Sequence, residues 1–458
     1  MSASETADTA VDEKEEAYPR GSYSWYIVGV LMLIYINSFL DRSILSLLVD
    51  PIRSTLHITE SQMGFLMGPA FAIFYIIAGL PLGRLADVMS RRWLVFSGQF
   101  VWSIMSVGCA FITGFGQFLT LRVGLGVGEA SLSPSAYSMI TDLFPRKKLS
   151  RALSVYGLGI FLGAGFARLL GGLVIGFTEG RETVQVPIID HTIFSWQIVF
   201  LFVALPTIPL SILLLTIKEP LRRGVKREIE AGAQVSWKET MSYMWLNRTT
   251  MICHSMGFAL LSFSGYGAGS WNPSHFHRNF GLPLSEIGVV TGLINIFGGT
   301  TGILMGGWLA DYLYKRGVRN NKTMVGLFSA IAWAPFGIAY PLMTTSTSAF
   351  ACLAGATTLA AMPWGVGPAG IQEIMPNRMR GQASAAYLFI INFFGIGLGP
   401  FIPSLLTQYV FKADDGVRYS LLVVPTTAHF IAAILLFVAL KPFLKSMDRV
   451  DEWRKQNS

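Results

Sequence analysis

Charged residues are scarce in this chain of 458 amino acids. Only 14% of its residues are Asp, Glu, Lys or Arg, whereas 52% are hydrophobic. A soluble globular protein carries about 25% charged residues, so the composition excludes that class. The apolar residues must instead face lipid or one another. This predicts an all-α integral membrane protein that crosses the bilayer several times.

Several other features are also missing. The three cysteines, Cys109, Cys253 and Cys352, each lie inside an apolar run and give neither a disulfide framework nor a metal spacing. The chain has no nucleotide-binding loop and no acid/base or metal constellation at a membrane surface, which excludes an ATP-driven pump and an enzyme. We therefore expect no cofactor and no bound metal. The N-terminus is polar and acidic, unlike a signal peptide, which begins basic and turns apolar.

The net charge of +8 does not indicate a nucleic-acid-binding protein. The basic residues lie in short loops between apolar runs rather than along one helix face. They concentrate in the loops on the side of the N-terminus, while the opposite loops hold only Arg53, Arg181, Arg278, Lys412 and Arg418. Because positive loops stay on the cytoplasmic side, we expect both termini to be cytoplasmic. The compact loops indicate a bacterial-type protein, for which we expect the inner membrane.

Twelve apolar runs are long enough to cross the bilayer, which takes about 20 residues as a helix. They are residues 25–49, 61–83, 93–113, 117–142, 152–178, 194–216, 250–274, 285–308, 324–344, 348–372, 383–410 and 419–440. The expected organisation is a disordered cytoplasmic tail (1–22), a six-helix bundle (23–216), a charged cytoplasmic linker (217–249), a second six-helix bundle (250–440) and a cytoplasmic tail (441–458). The linker could hold a helix lying along the membrane.

The two halves repeat one motif. Residues 83–87 read Gly-Arg-Leu-Ala-Asp and residues 307–311 read Gly-Trp-Leu-Ala-Asp, and each is followed by a basic pair. This pattern resembles the loop motif of the major facilitator superfamily, which implies two pseudo-symmetric six-helix bundles and alternating access. The resemblance implies a cytoplasmic gate that latches in one state and releases in the other; the alternative is a basic loop that only sets topology. The gate residues would be Gly83, Asp87, Arg91, Arg92, Asp311, Lys315 and Arg316.

Within that superfamily the chain resembles the Spinster family. The first run contains Asn37 and the pair Asp41-Arg42. The fourth reads Arg-Val-Gly-Leu-Gly-Val-Gly-Glu-Ala-Ser over 122–131, followed by Asp-Leu-Phe-Pro at 142–145, and the seventh ends Gly-Ser-Trp-Asn-Pro at 269–273. The resemblance implies a proton-linked exporter of lysolipids or sphingoid lipids. Organic-anion symporters share the Asp-Arg pair and the arginine of the fourth run.

Four charged residues fall inside apolar runs one and four: Asp41, Arg42, Arg122 and Glu129. Each costs about 2.5–3.5 kcal/mol at the bilayer centre, so a functional role is expected. Two acids against two bases make a neutral network, and a change of partners between states can bind or release a proton. We expect Asp41 and Glu129 to carry protons, with Arg42 and Arg122 as counter-ions, one of which also meets an anionic substrate group. The alternative is a static bridge between two helices.

Arg168 interrupts a glycine-rich packing segment, where drug/proton antiporters carry Gly-Pro-x-x-Gly-Gly. It could bind a substrate headgroup, pair with an acid or extend outwards. His254, His275 and His277 form no complete metal set and are interpreted as hydrogen-bonded core or interface histidines. An amphipathic cavity could be lined by rings and amides, with packing or lipid contact as the alternative for the rings. These residues are Phe258, Phe263, Tyr266, Trp271, Asn295, Trp364 and Asn392.

The function that follows is proton-coupled secondary transport of an amphipathic, lipid-like substrate by a monomer in the bilayer. Within transport, the alternative is a small organic-anion symporter of the sugar-acid kind. Outside transport, it is a receptor or scaffold that moves nothing. A cavity open sideways between the fifth and eighth helices would favour the lipid, and a closed cavity with converging arginines would favour the small anion.

Overall fold

The computed structural model describes residues 19–178, 180–186, 191–222 and 236–456. It is helical almost throughout. We number the spanning helices α1 to α12. The first six are α1 Gly21–Ser46, α2 Glu60–Val88, α3 Arg91–Phe111, α4 Phe115–Glu129 with Leu132–Leu143, α5 Arg146–Gly157 with Gly159–Phe177, and α6 Ile198–Thr216.

The second six helices follow a linker. They are α7 Arg248–Phe280, α8 Leu284–Lys315, α9 Asn321–Leu342, α10 Ser346–Glu373, α11 Arg380–Phe411 and α12 Val417–Gln456. Short helices Val49–Leu56 and Trp237–Leu246 lie outside the spans. The structure thus confirms the predicted fold of twelve spanning helices in two six-helix bundles.

By length and composition alone, ten of the described helical spans are long and apolar enough to cross a membrane. The other two are α4 and α7. The α-helix of α4 is interrupted after Glu129 and resumes at Leu132. The α7 helix is long enough, but its sequence includes serines, asparagines and histidines. Both helices bury polar side chains inside the bundle: α4 buries Glu129, and α7 buries His254 and Asn272.

Two local features were not expected. An antiparallel hairpin, β1 Thr183–Val186 and β2 His191–Phe194, precedes α6, which begins at Ile198 rather than at residue 194. Its β-branched residues favour a strand. The α12 helix continues to Gln456, so most of the expected C-terminal tail is helical. The expected N-terminal tail up to residue 18, linker residues 223–235 and residues 457–458 lie outside the described residues.

The helix ends define two ends of the bundle. We call the end that carries the start of α1 and the end of α12 the terminal end. At this end Ser24 Oγ donates to the carbonyl of Leu143 within the first bundle (3.4 Å), and Arg449 of α12 donates to the carbonyl of Leu246, just before α7 (2.9 Å). The opposite end, where α1 finishes and α2 begins, is called the far end.

Glycines join the two bundles along α5 and α8. A Cβ on Gly172 would stand 2.8 Å from the carbonyl oxygen of Ser285 and 3.0 Å from the Cα of Gly288, and a Cβ on Gly165 would stand 2.8 Å from the carbonyl of Gly292. Side chains at these positions would push the helices apart. This contact, the α5–α8 seam, therefore holds the bundles together in their far-end half.

Candidate functional site

Helix α4 brings a carboxylate to α1. Cβ atoms on Gly126 and Gly128 would lie 2.6 Å from the carbonyl of Phe71 and 2.8 Å from the amide nitrogen of Trp102, so glycine is needed for α4 to approach α2 and α3. The Glu129 side chain is fully buried there. Its Oε2 accepts a hydrogen bond from Ser38 Oγ and another from Arg42 Nε, each at 2.5 Å. Its Oε1 has no partner among the described residues.

Asp41 directly precedes Arg42 in α1, but its side chain lies in a different environment. Its carboxylate is buried and accepts a hydrogen bond from Ser106 Oγ on α3. Its second oxygen, Oδ2, has no hydrogen-bond partner in the described part of the chain. No arginine forms an ion pair with Asp41 there. The two acids expected to carry protons therefore each present one oxygen that can accept a proton without breaking an existing bond.

Arg42 points into a cage of aromatic rings. Its guanidinium carbon lies 4.9, 4.6 and 4.7 Å from the ring centres of Phe39, Phe71 and Tyr75. Aromatic faces are negative and attract a cation when water is excluded. The cage and the Glu129 carboxylate together stabilise the charge of Arg42 inside the membrane.

Arg122 and Arg168 are also buried, but neither forms an ion pair with a carboxylate among the described residues. Arg122 donates from Nε to the carbonyl of Leu66 at 3.2 Å and lies 5.4 Å from the ring centre of Phe71. Arg168 donates from Nε to Ser46 Oγ at 3.3 Å and from Nη2 to the carbonyl of Gly269 at 2.7 Å. The expected four-residue network therefore contains one ion pair, between Arg42 and Glu129.

A central cavity of about 170 Å³ lies between the two bundles. Its N-terminal wall carries Arg42, Arg122 and Arg168. Its C-terminal wall carries neutral polar and aromatic groups, and no carboxylate from the described part of the chain lines the cavity. These groups are Ser264, Tyr266, Ser270, Asn272, Asn295, Trp333, Tyr340, Thr357 and Trp364. The cavity is thus positive on one side and uncharged on the other.

A second cavity of about 160 Å³ adjoins the first towards the terminal end and shares Arg42 and Tyr266 with it. Most of its lining is aromatic or aliphatic. These apolar and aromatic groups include Tyr35, Phe39, Tyr75, Tyr137, Phe258, Leu261, Tyr266, Trp364, Tyr387, Leu388 and Ile391. Together the two cavities form a chamber with a charged head and an apolar extension.

The predicted lining residues divide between these cavities and the protein core. Tyr266, Asn295 and Trp364 line the central cavity, and Tyr266, Trp364, Phe258 and Asn392 line the second. Phe263 and Trp271 line neither. Trp271 is fully buried and donates to the carbonyl of Pro400 at 2.8 Å, because α7 packs on α11 at that level. The expectation for Phe263 and Trp271 is therefore not retained.

The residues of the repeated motif lie at the terminal end and do not join the bundles there. Asp87 and Asp311 are exposed and make no hydrogen bond or ion pair in the described residues. A Cβ on Gly83 would meet nothing within 4 Å. Lys315 and Arg316 are exposed, and the Arg316 guanidinium covers the ring of Tyr312. A gate built from these groups would be open in this structure.

Arg91 is the exception in that motif, because it is fully buried. It forms an ion pair with Asp142 and another with Glu219 (2.8 Å), which lies beyond α6. Arg92 donates its backbone N–H to Glu219 as well, at 3.0 Å. Partial burial raises the pKa of Glu219, but the hydrogen bonds from Arg92, Arg91 and Ser90 outweigh burial and hold that pKa below its ordinary value.

A cluster of charges at the far end was not singled out from the sequence. Arg278, at the end of α7, donates to Asp50 at 2.7 Å and to Glu60 at 2.8 Å. Arg53 contacts Glu60 at 2.7 Å and Asp414 at 3.1 Å. Because Asp50, Arg53 and Glu60 belong to the first bundle while Arg278 and Asp414 belong to the second, we call this group the far-end latch. In the sequence, Arg53 and Arg278 stand out only as two of the few basic residues in the loops on that side.

Comparison with known proteins identifies the class. Residues 31–400 match the Major Facilitator Superfamily, and the chain therefore belongs to that superfamily. It is a multi-pass membrane transporter. It is 28% identical to an MFS-type efflux pump of Mycolicibacterium smegmatis, over 96% of this chain and 97% of the relative. The superfamily match and this efflux pump agree with the expectation that the chain is not an enzyme, and they favour a transporter over the receptor alternative.

Within the superfamily the chain resembles Spinster proteins, as its motifs predicted. It is 24% identical to Protein spinster of Drosophila melanogaster, over 86% of this chain and 63% of that protein. A hexuronate transporter of Bacillus subtilis is also 24% identical, over 83% of this chain and 87% of the relative. The crystal structure of a bacterial homologue of the human lysosomal transporter Spinster, inward-facing and unoccupied, is 25% identical. It matches with a TM-score of 0.77, over 93% of this chain and 99% of that one.

Proposed function

We propose that this transporter moves an amphipathic anion of the lysolipid or sphingoid lipid class by alternating access, driven by protons. The observation that carries the proposal is the central cavity, where three arginines face a neutral wall. Arg42 has a carboxylate partner, whereas Arg122 and Arg168 have none among the described residues. A buried charge without a partner is strongly unfavourable. An anionic substrate group would supply the missing negative charge through charge-assisted hydrogen bonds.

The second cavity supports an amphipathic substrate rather than a fully polar one. It lies against Arg42 and is lined mainly by rings and aliphatic side chains, including Phe258, Leu388 and Ile391. An acyl or sphingoid chain gains about 0.8 kcal/mol per buried CH₂ in such surroundings. A substrate with its anionic headgroup at the arginines of the central cavity and its apolar tail in the second cavity would match this distribution of charge.

Proton coupling is supported by Asp41 and Glu129. Each is buried, and each has one carboxylate oxygen without a partner in the described chain. A proton on Glu129 would weaken its attraction for Arg42 and free that guanidinium for the substrate. Protonation and substrate binding would therefore be linked through Arg42.

The basic loops support an orientation in the membrane. We propose that the terminal end is cytoplasmic in a bacterial inner membrane, with tail 1–22, linker 217–249 and tail 441–458 on that side and the protein acting as a monomer. The gate residues Asp87 and Asp311 are exposed there, while the far-end latch joins the bundles. On this assignment the structure is the inward-facing state.

A small sugar acid is the second candidate, and one observation favours it. The α5–α8 seam closes the bundle sideways next to the cavity, with Gly172 against Gly288. A closed chamber with converging arginines suits a small anion, and a hexuronate transporter is among the relatives. The seam covers only the far-end half of these helices, so a lipid chain would have to reach the chamber from the terminal-end half.

Uptake into proteoliposomes distinguishes the two. The full chain, reconstituted in phosphatidylethanolamine and phosphatidylglycerol, would be given a lysophospholipid, a sphingoid phosphate or a hexuronate under an imposed pH gradient. We expect gradient-dependent flux of at least one of the lipids, reduced by Arg122→Gln but not by Arg181→Gln, a matched change at an exposed arginine. Hexuronate flux without lipid flux would establish the second candidate. Absence of gradient-dependent flux for all three would refute both.

A further inference from the structure

A proline in α7 leaves a backbone acceptor at the cavity without its helical donor. Pro273 stands within the helix Arg248–Phe280. In an α-helix the N–H of each residue bonds the carbonyl four residues earlier, but proline has no N–H. The carbonyl of Gly269 therefore lacks its helical donor. Gly269 lines the central cavity, so this carbonyl lies next to the space proposed for the substrate.

Arg168 supplies the missing donor from the other bundle. Its Nη2 donates to the Gly269 carbonyl at 2.7 Å, and its Nε donates to Ser46 Oγ at 3.3 Å. Arg168 lies on α5 and Ser46 at the far end of α1, whereas Gly269 belongs to α7. The bond to Gly269 thus crosses between the bundles. It can persist only while their far-end halves stay together.

The same guanidinium is available to an anion. Arg168 lines the central cavity, and no acceptor for its Nη1 is found among the described residues. A carboxylate or phosphate attracts a guanidinium far more strongly than a neutral carbonyl does, and a bidentate pair needs two of its N–H groups. An anion held by Nη1 and Nη2 draws the guanidinium towards itself, and the neutral Gly269 carbonyl is the weaker competitor for Nη2.

We propose that Arg168 couples occupancy of the cavity to opening of the far end. In the empty transporter Arg168 bonds Gly269 and holds the bundles together at that level. An anionic substrate group takes the guanidinium, the Gly269 carbonyl is released, and the far end is freed to open. The idea rests on the proposed function in requiring an anionic substrate group. A neutral amphipath, which cannot compete for the guanidinium, leaves the contact in place.

The far-end separation can be measured between spin labels at Ser54→Cys and Ala413→Cys, which are exposed on opposite bundles. Cys109, Cys253 and Cys352 would be replaced by serine. The probe is dodecyl phosphate in nanodiscs, with dodecanol as the neutral comparison. We expect dodecyl phosphate, but not dodecanol, to raise the ratio of open to closed far ends.

Two substitutions test the contact without any ligand. Arg168→Gln removes the charged donor, and we expect it to raise the open-to-closed ratio on the order of tenfold and to abolish the response to dodecyl phosphate. Pro273→Ala restores an N–H to α7, gives the Gly269 carbonyl a helical partner and should also raise the ratio. Because both changes act on one bond, the double variant should show less than the product of the two effects. Pro425→Ala, a helix proline of α12, is the control and should multiply independently with Arg168→Gln.

The outcomes separate this idea from the proposed function. If Arg168→Gln leaves the far-end ratio unchanged, or if its effect multiplies independently with Pro273→Ala, the coupling role is wrong. Failure of dodecyl phosphate to bind the wild-type protein would instead contradict the anionic-lipid proposal. In that case the ligand-free comparison of Arg168→Gln with Pro273→Ala still decides whether the contact holds the bundles together.

Discussion

Replacing Glu129 with glutamine tests the buried ion pair on which the coupling scheme depends. Removing one partner of a buried pair usually costs about 3–5 kcal/mol, because the other charge is left uncompensated. Here Arg42 keeps three aromatic rings within 5 Å, and its side chain is 10% exposed at the cavity. Glutamine also keeps a carbonyl that can accept from Ser38 or Arg42. We therefore expect Glu129→Gln to lower the free energy of unfolding by about 1.5–3 kcal/mol, the range for a hydrogen bond to a charged group.

Glu129→Ala also removes the hydrogen-bond acceptor, so its free energy of unfolding should fall by nearly the full amount, about 3–5 kcal/mol. Thermal unfolding of the purified protein, followed by tryptophan fluorescence, should rank wild type above Glu129→Gln and both above Glu129→Ala. Glu286→Gln, at an exposed glutamate in the first turn of α8, is the matched control and should stay within about 0.5 kcal/mol of wild type. A Glu129→Ala protein as stable as wild type would refute the energetic reasoning.

The same variant separates the coupling role from a static one. If Glu129 carries a proton, Glu129→Gln should lose accumulation driven by a pH gradient but keep exchange of substrate across the membrane, which needs no net proton movement. A static bridge predicts that both activities fall together with stability. Gradient-driven accumulation that survives Glu129→Gln would show that Glu129 is not a proton carrier.

Three further predictions follow from contacts elsewhere in the chain. The pKa of Glu219 in the folded state lies below its ordinary value, so its contribution to stability is present above the unfolded-state pKa and is lost as the pH falls through the folded-state pKa. The difference in melting temperature between wild type and Glu219→Gln should therefore be larger at pH 7 than at pH 4. An equal difference at the two pH values would contradict this. Gly172→Ala should destabilise the α5–α8 seam by about 1–3 kcal/mol and slow transport. Gly176→Ala is the control and should do neither, because its Cβ would meet only Ser285 Cβ, at 3.4 Å. Equal transport rates for the two variants would contradict the role of the seam. Arg278→Ala removes the centre of the far-end latch and should raise the open-to-closed ratio between the far-end labels, while Arg181→Gln should leave it unchanged.

Much of the fold could be predicted because the bilayer restricts the options. A chain must satisfy its backbone hydrogen bonds in lipid, so long apolar runs become helices, and twelve runs gave twelve spans. The hairpin before α6 escaped prediction because β1 and β2 lie outside the membrane, where that restriction no longer applies. The extension of α12 to Gln456 was missed because its last turns are polar.

The site was harder to predict, since pairing depends on three-dimensional contacts. A neutral set of two acids and two bases favoured a closed network, yet only Glu129 and Arg42 form an ion pair. Asp41 is held instead by the hydroxyl of Ser106, and Arg168 by a carbonyl that Pro273 leaves free. Hydroxyls and backbone carbonyls are too common in a sequence to signal such roles. Their positions become informative only once the helices are packed.

The central claim is that protons move with an anionic substrate through the cavity between the bundles. The most direct measurement is the pH change inside proteoliposomes, read by an enclosed fluorescent dye, when a lysophospholipid is supplied on albumin without an imposed gradient. We predict a substrate-dependent proton flux in the wild type and in Glu286→Gln, and its loss in Asp41→Asn and Glu129→Gln. Substrate flux with no accompanying proton flux in the wild type, or an unchanged proton flux in both carboxylate variants, would contradict the claim.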